Sequence, residues 1–200
     1  TDLNTDIGGL KATLLARGDH RADYRDVDDV DKYNGKDGNF VSQSVIMNVQ
    51  AEFDQLIHNI ATKINDILAG AAGVAKADKV DAADPNEFQA FEFIDAEGNA
   101  VQLKGAQVCK ADSNGYMRND DGSPIQMFAK VSSPGYQKMT ANENIEDAEG
   151  NILVAQGEEC WVYVPEDPEN PASLYTITNL QIEPELMQKP SMLGFRLEDG

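Results

Sequence analysis

Between Ser42 and Ala69 the large apolar residues return at alternating steps of three and four: Ile46, Val49, Phe53, Leu56, Ile60 and Ile67, with Lys63 filling the one seam position that is not apolar. Steps of three and four follow the turn of an α-helix, whereas a strand would alternate every second residue. Val45, Ile57, Ile64 and Leu68 widen the stripe, and Asn48, Glu52, Gln55, Asn59, Thr62 and Asp66 form the polar side. At 1.5 Å per residue such a helix is roughly 40 Å long, more than twice the globular mean, and it has the dimensions of part of a rod. Gly70 and Gly73 are its stop signal. The stripe is expected to bury against a first helix and neighbouring strands, and to support bundle packing in a longer assembly.

The first helix is predicted from Ile7, Leu10, Leu14 and Leu15, with Asp6 as cap and Gly18 as terminator. Leu10 and Leu14 join Ile46, Val49, Phe53, Leu56, Ile60, Ile64 and Ile67 as the candidate packing seam. Residues 19–39, rich in Asp and broken by Gly35 and Gly38, hold too few apolar groups to bury and read as a solvated connection. Residues 1–70 are therefore expected to be a helical rod portion of two helices, and the Ala/Lys/Asp stretch at 71–83 a linker or frayed last turn.

The period then changes. Phe91 and Phe93 alternate with Gln89, Glu92 and Asp95, and Asp95-Ala96-Glu97-Gly98-Asn99 supplies residues that tolerate positive φ in a tight turn. The same five residues recur as Asp147-Ala148-Glu149-Gly150-Asn151, and each copy has a further glycine seven residues after its own, Gly105 and Gly157. Two equivalent hairpins are expected, although the strand residues between the turns differ, which independent origin would equally produce. Asn119-Asp120-Asp121-Gly122 marks a third turn, and Cys160–Val164 with Leu174–Ile177 bring the strands to about eight. Residues 84–173 thus form a β-rich insertion, and 174–200 a strand and Pro turn leading back to the rod. The fold class is α+β: a long-helix rod portion carrying an inserted antiparallel β-rich domain.

A net charge of −19 argues against nucleic acid, because phosphate binding needs a Lys/Arg surface. The acidity concentrates in residues 84–200, with 7 basic against 21 acidic groups, and suits a solvent-facing, self-repelling surface. No apolar run approaches the ~18 residues that cross a bilayer. Cys109 and Cys160 are too few for a disulfide scaffold. The chain opens at Thr1 without an initiator Met or signal peptide and stops at Gly200, and reads as an excised piece of a longer protein.

Three blocks resemble the family of the first flagellar hook-associated proteins. Gly9-Leu10-Lys11-Ala12-Thr13-Leu14-Leu15-Ala16-Arg17, followed by Asp19, is similar to the motif that opens a helix-rich part of that family's rod domain. Asp54-Gln55-Leu56-Ile57, Ile60-Ala61 and Ile64-Asn65 resemble its repeating Leu-x-x-Leu-Ala seam, and Leu180-Gln181-Ile182-Glu183-Pro184-Glu185-Leu186 the strand and Pro turn before its C-terminal helices. The stretch 84–171 has no counterpart in that pattern. The resemblance implies an extracellular structural component of the bacterial flagellum joining hook to filament, exported unfolded and assembled through terminal coiled coils that lie outside this chain. It implies as partners the hook protein, the second junction protein and an export chaperone. The chain by itself is expected to be a monomer.

Chemistry-bearing residues are sparse. His20 and His58 stand without the nucleophile and orienting acid of a catalytic triad. Arg17-Gly18-Asp19 is an integrin-type tripeptide that a helix-ending glycine explains better. Neither Asp26, Asp28, Asp29, Asp31 and Asp37 nor Asp112-Ser113-Asn114-Gly115 supplies the ligand spacing of an EF-hand. Glu158-Glu159 could serve a glycosidase only across a cleft of defined width. No catalysis, cofactor or metal is expected. The alternative is a surface adhesin or carbohydrate-binding module in which Trp161, Tyr163 and Tyr175 form an exposed platform.

Overall fold

A computed structural model describes residues 9–17, 21–27, 44–80, 88–111 and 117–193, with the backbone alone at 10, 11, 14, 15, 79, 80 and 88. The chain divides into two compact units, Thr1–Ala61 with Tyr175–Asn179, and Thr62–Leu174 with Leu180–Gly200.

In the first unit, helix α1 spans Gly9–Arg17. The expected cap Asp6 and terminator Gly18 lie outside the described residues. Helix α2 spans Val45–Ala71 and is the main helix of the molecule. Ser44 starts it: its hydroxyl oxygen accepts from Met47 N at 3.2 Å and donates to Ala16 O at 2.7 Å, so one cap also ties α2 to α1. Asp23 and Asp26 make a reciprocal capping box on the single 3-10 turn Tyr24–Asp26, which engages Asp26 of the acidic segment in a local structural role. The small core joins Ala22, Met47 and Ala51, with Val27 against it.

Helix α2 ends in the second unit. Gly73 at φ 79° lets Val74 N reach Ala69 O and Gly73 N reach Gly70 O, both at 3.0 Å, which satisfies carbonyls that the last turn leaves open. The chain does not then run on as a linker. Strands β1 (Ala75–Lys76) and β2 (Lys79–Val80) pair into the sheet, because their backbone groups find partners at Gln107–Lys110 and Phe88–Ile94.

The remaining strands are β3 (Phe88–Ile94), β4 (Ala100–Lys104), β5 (Gln107–Lys110), β6 (Phe128–Lys130), β7 (Tyr136–Ala141), β8 (Ile145–Glu146), β9 (Ile152–Val154), β10 (Glu159–Tyr163) and β11 (Leu180–Ile182). The main sheet has the order β1-β5-β10-β7-β3-β2 with β4 on β3, and β11-β6 and β8-β9 form two-stranded sheets. All pairings are antiparallel. Alternate residues of the strands face a core of Phe91, Phe93, Val108, Met139, Cys160 and Val162, each large aliphatic or aromatic side chain contributing roughly 1.5–3 kcal/mol by leaving water. Cys109, Tyr136 and Trp161 form a separate cluster. Cys109 and Trp161 are paired across β5 and β10, so Cys160 points to the other face and the two thiols cannot form a disulfide within this sheet.

The architecture is α+β with a mostly antiparallel sheet and one main helix. The predicted turns form: in both Asp-Ala-Glu-Gly-Asn copies the aspartate N–H donates to the asparagine carbonyl, and the glycine, at φ 88° and 82°, donates back to the aspartate carbonyl. Asn119–Ser123 makes the same pattern with Gly122 at φ 84°. The hairpins are equivalent only in their turns, since β3 and β4 join the main sheet while β8 and β9 pair with each other alone. The boundaries 84 and 173 are also displaced: β11 pairs with β6, and the second unit reaches back to Thr62. No helix among the described residues is long and apolar enough to cross a membrane.

Candidate assembly face

Two stripes of heptad spacing run along α2. One is the predicted seam. The other comprises Ser44, Met47, Ala51, Asp54, His58, Ala61, Asn65, Leu68 and Ala72, also at steps of three and four, and it is this small and polar stripe that faces the protein. Met47 is 0% and Asp54 2% exposed, against 61% for Val49, 51% for Phe53, 53% for Leu56 and 68% for Ile67. Ile46 and Ile60 are exposed as well, while Ile64 is half-buried. The expectation that the seam buries within this chain is therefore wrong for six of its seven members on α2. Leu10 and Leu14 sit on α1, and their side chains lie outside the described residues.

Hydrogen bonds explain the orientation. The Asp54 carboxylate accepts from Tyr24 N at 3.0 Å and from Ile177 N at 2.6 Å. Farther along the helix, in the second unit, the Asn65 amide grips the Phe128 backbone from both sides, donating to its carbonyl at 2.8 Å and accepting from its N–H at 3.1 Å. His58 stacks on Tyr24 with ring centroids 4.0 Å apart. Buried backbone groups without partners are costly, so a carboxylate and an amide that satisfy four of them hold the polar stripe inward. Sequence reasoning misses the anchoring role of Asp54 and Asn65 because it equates polarity with solvent. Their helical phase, shared with Met47, Ala51 and Ala61, is the signal that could have found them.

The turned-out face is a run of branched and aromatic side chains at coiled-coil spacing with only Lys63 interrupting it, the pattern that one helix offers to another.

The other candidates do not converge. Arg17 ends α1; Gly18, Asp19, His20, Asp28, Asp29, Asp31, Asp37 and residues 112–115 lie outside the described residues. Glu158 pairs with Lys110 at 3.6 Å and Glu159 with Lys138 at 2.7 Å, as cross-strand ion pairs. Among the described residues no group of three or more His, Cys, Asp and Glu side chains is placed to hold a metal ion. The aromatic platform is not presented either: Trp161 and Tyr175 are buried, and Tyr163 lies edge-on to Tyr136 at 5.5 Å. No protein family, curated protein or solved structure matches this chain.

Proposed function

We propose that this chain is a non-catalytic structural segment of a bacterial flagellum, extracellular and placed at the junction of hook and filament, where the exposed stripe of α2 receives helices of the surrounding assembly. The observation that carries the reading is the inversion of α2: a helix anchored by Asp54 and Asn65 turns Val49, Phe53, Leu56 and Ile60 to solvent. Exposing those side chains forgoes about 25 cal/mol for every Å² of apolar surface they could bury, a cost that a partner helix recovers. The resemblance of the α1, α2 and β11 blocks to the hook-associated family supplies the setting, a rod built by packing long helices. In that setting the hook protein, the second junction protein and an export chaperone are the partners, and the anionic β-rich unit faces solvent, where its charge opposes lateral aggregation.

The test separates folding from assembly. Leu56→Asp with Ile60→Asp changes two exposed positions, so the isolated chain should melt within about 2 °C of the parent. In a strain lacking the native protein, the full-length variant should be exported yet leave hooks bare of filament, since an apolar interface cannot accept two unpaired charges. Normal filament attachment and swimming by that variant would overturn the proposal.

A further inference from the structure

Helix α2 runs unbroken from Val45 to Ala71, so the spacing along its outward stripe is fixed by the helix itself. Three features of that stripe restrict which helix can lie on it. Lys63, exposed, occupies a position that coiled-coil spacing otherwise gives to an apolar side chain, and needs an acceptor for its charge. Phe53 is the one aromatic residue of the helix and is exposed. Gly70 takes the next position of the same spacing, and nothing lies within 4 Å of where a Cβ would stand, so the stripe ends in a gap that a bulky side chain could fill. Beside the stripe, Glu52 and Asp66 make an exposed acidic flank.

A second copy of α2, antiparallel and centred at the level of His58, meets all three. It sets Ile46 over Gly70, Phe53 over Lys63 and Leu56 over Ile60, each contact occurring twice about the two-fold axis. The Lys63 stem covers the Phe53 ring of the other copy, and its ammonium reaches the neighbouring Glu52 there, an ion pair added to a cation–π contact. Other alignments lose this match. A parallel pair in register puts Lys63 against Lys63. Antiparallel pairs shifted by one heptad place Lys63 against Ile46 or Ile60 and leave one end of the stripe uncovered.

We propose that the outward stripe of α2 pairs with the same stripe of a second copy of this chain, antiparallel, with Lys63 of each copy seated between Phe53 and Glu52 of the other. The inference rests on the reading of this stripe as an assembly face and names the helix it receives. The net charge of −19 on each copy opposes the pairing, so the dimer emerges as salt screens that repulsion.

Sedimentation equilibrium at about 0.3 M salt should find a reversible monomer–dimer equilibrium. Lys63→Glu brings carboxylates together at both symmetric contacts and should weaken the dimer about tenfold. Glu52→Lys should weaken it similarly, although it lowers the net negative charge, which general repulsion alone would turn into tighter association. Glu52→Lys combined with Lys63→Glu should restore the dimer to within about twofold of the parent. Within one helix the two positions are about 16 Å apart, so the rescue has to come from an antiparallel second copy. All these positions are exposed, and the melting temperatures should match the parent. A chain that stays monomeric as salt rises, open-ended oligomers, or a double variant no better than the single ones would overturn the pairing. If the pairing fails while Leu56→Asp with Ile60→Asp still leaves hooks bare of filament, the stripe receives a helix of another protein. If the charge swap rescues the dimer while that variant attaches filament normally, the pairing stands and the flagellar reading falls.

Discussion

Two polar side chains set the orientation of the main helix. Asp54 and Asn65 sit on α2 among alanines and a methionine, and each bridges backbone groups distant in sequence. The energetic weight of α2 within its own chain therefore rests on its less greasy side. Met47, fully buried against Ala22 and Ala51, should cost about 2–5 kcal/mol when cut to alanine. Phe53→Ala, at a position half open to water, should cost less than about 1 kcal/mol, reversing the order that hydrophobicity alone suggests. Urea denaturation of the two variants measures both. A larger loss for Phe53 than for Met47 would mean that the helix is turned the other way in solution.

Among the elements, the two Asp-Ala-Glu-Gly-Asn turns illustrate how local chemistry ends a strand. Asp95 Oδ1 accepts from Asn99 N at 2.7 Å, and Asp147 Oδ1 from Asn151 N at 2.8 Å. The backbone and then the side-chain bond from Asn99 hold the Asp95 carboxyl below its ordinary value; for Asp147 the side-chain bond from Asn151 comes first and its backbone bond second. A depressed carboxyl binds fewer protons folded than unfolded. The stabilisation is therefore present above the ordinary aspartate value of 3.8 and is lost as pH falls below it through the folded-state values. Replacing both residues, as Asp95→Asn with Asp147→Asn, should flatten the decline in melting temperature between neutral pH and about pH 3, relative to the parent. Parallel declines in parent and variant would show that these carboxylates contribute nothing to acid sensitivity.

At the scale of the whole molecule, a net charge of −19 opposes self-association while the exposed stripe of α2 favours it. The two respond differently to salt. Surface charges are screened over roughly 10 Å at 0.1 M, whereas apolar attraction is not. Light scattering should find a monomer at low ionic strength and growing self-association as salt rises, suppressed by Leu56→Asp with Ile60→Asp. Association that weakens with salt would place the contact on charged groups instead. The sequence alone determined the existence and length of α2, its stop at Gly73 though not at Gly70, which lies inside the helix, the three Asp/Asn-to-Gly turns and the antiparallel β character of the residues beyond the helix. Each of these depends on periodicity or on a positive φ within a few residues. Tertiary structure decided which stripe of α2 faces inward, that 75–80 adds strands rather than a linker, and that Cys109 and Cys160 lie on opposite faces of the sheet. Those outcomes depend on partners far along the chain, such as Ile177 for Asp54 at a separation of 123 residues and Phe128 for Asn65 at 63. A helix with two plausible faces takes the one whose buried hydrogen bonds are met, because an unmet backbone group inside costs more than an apolar side chain left outside.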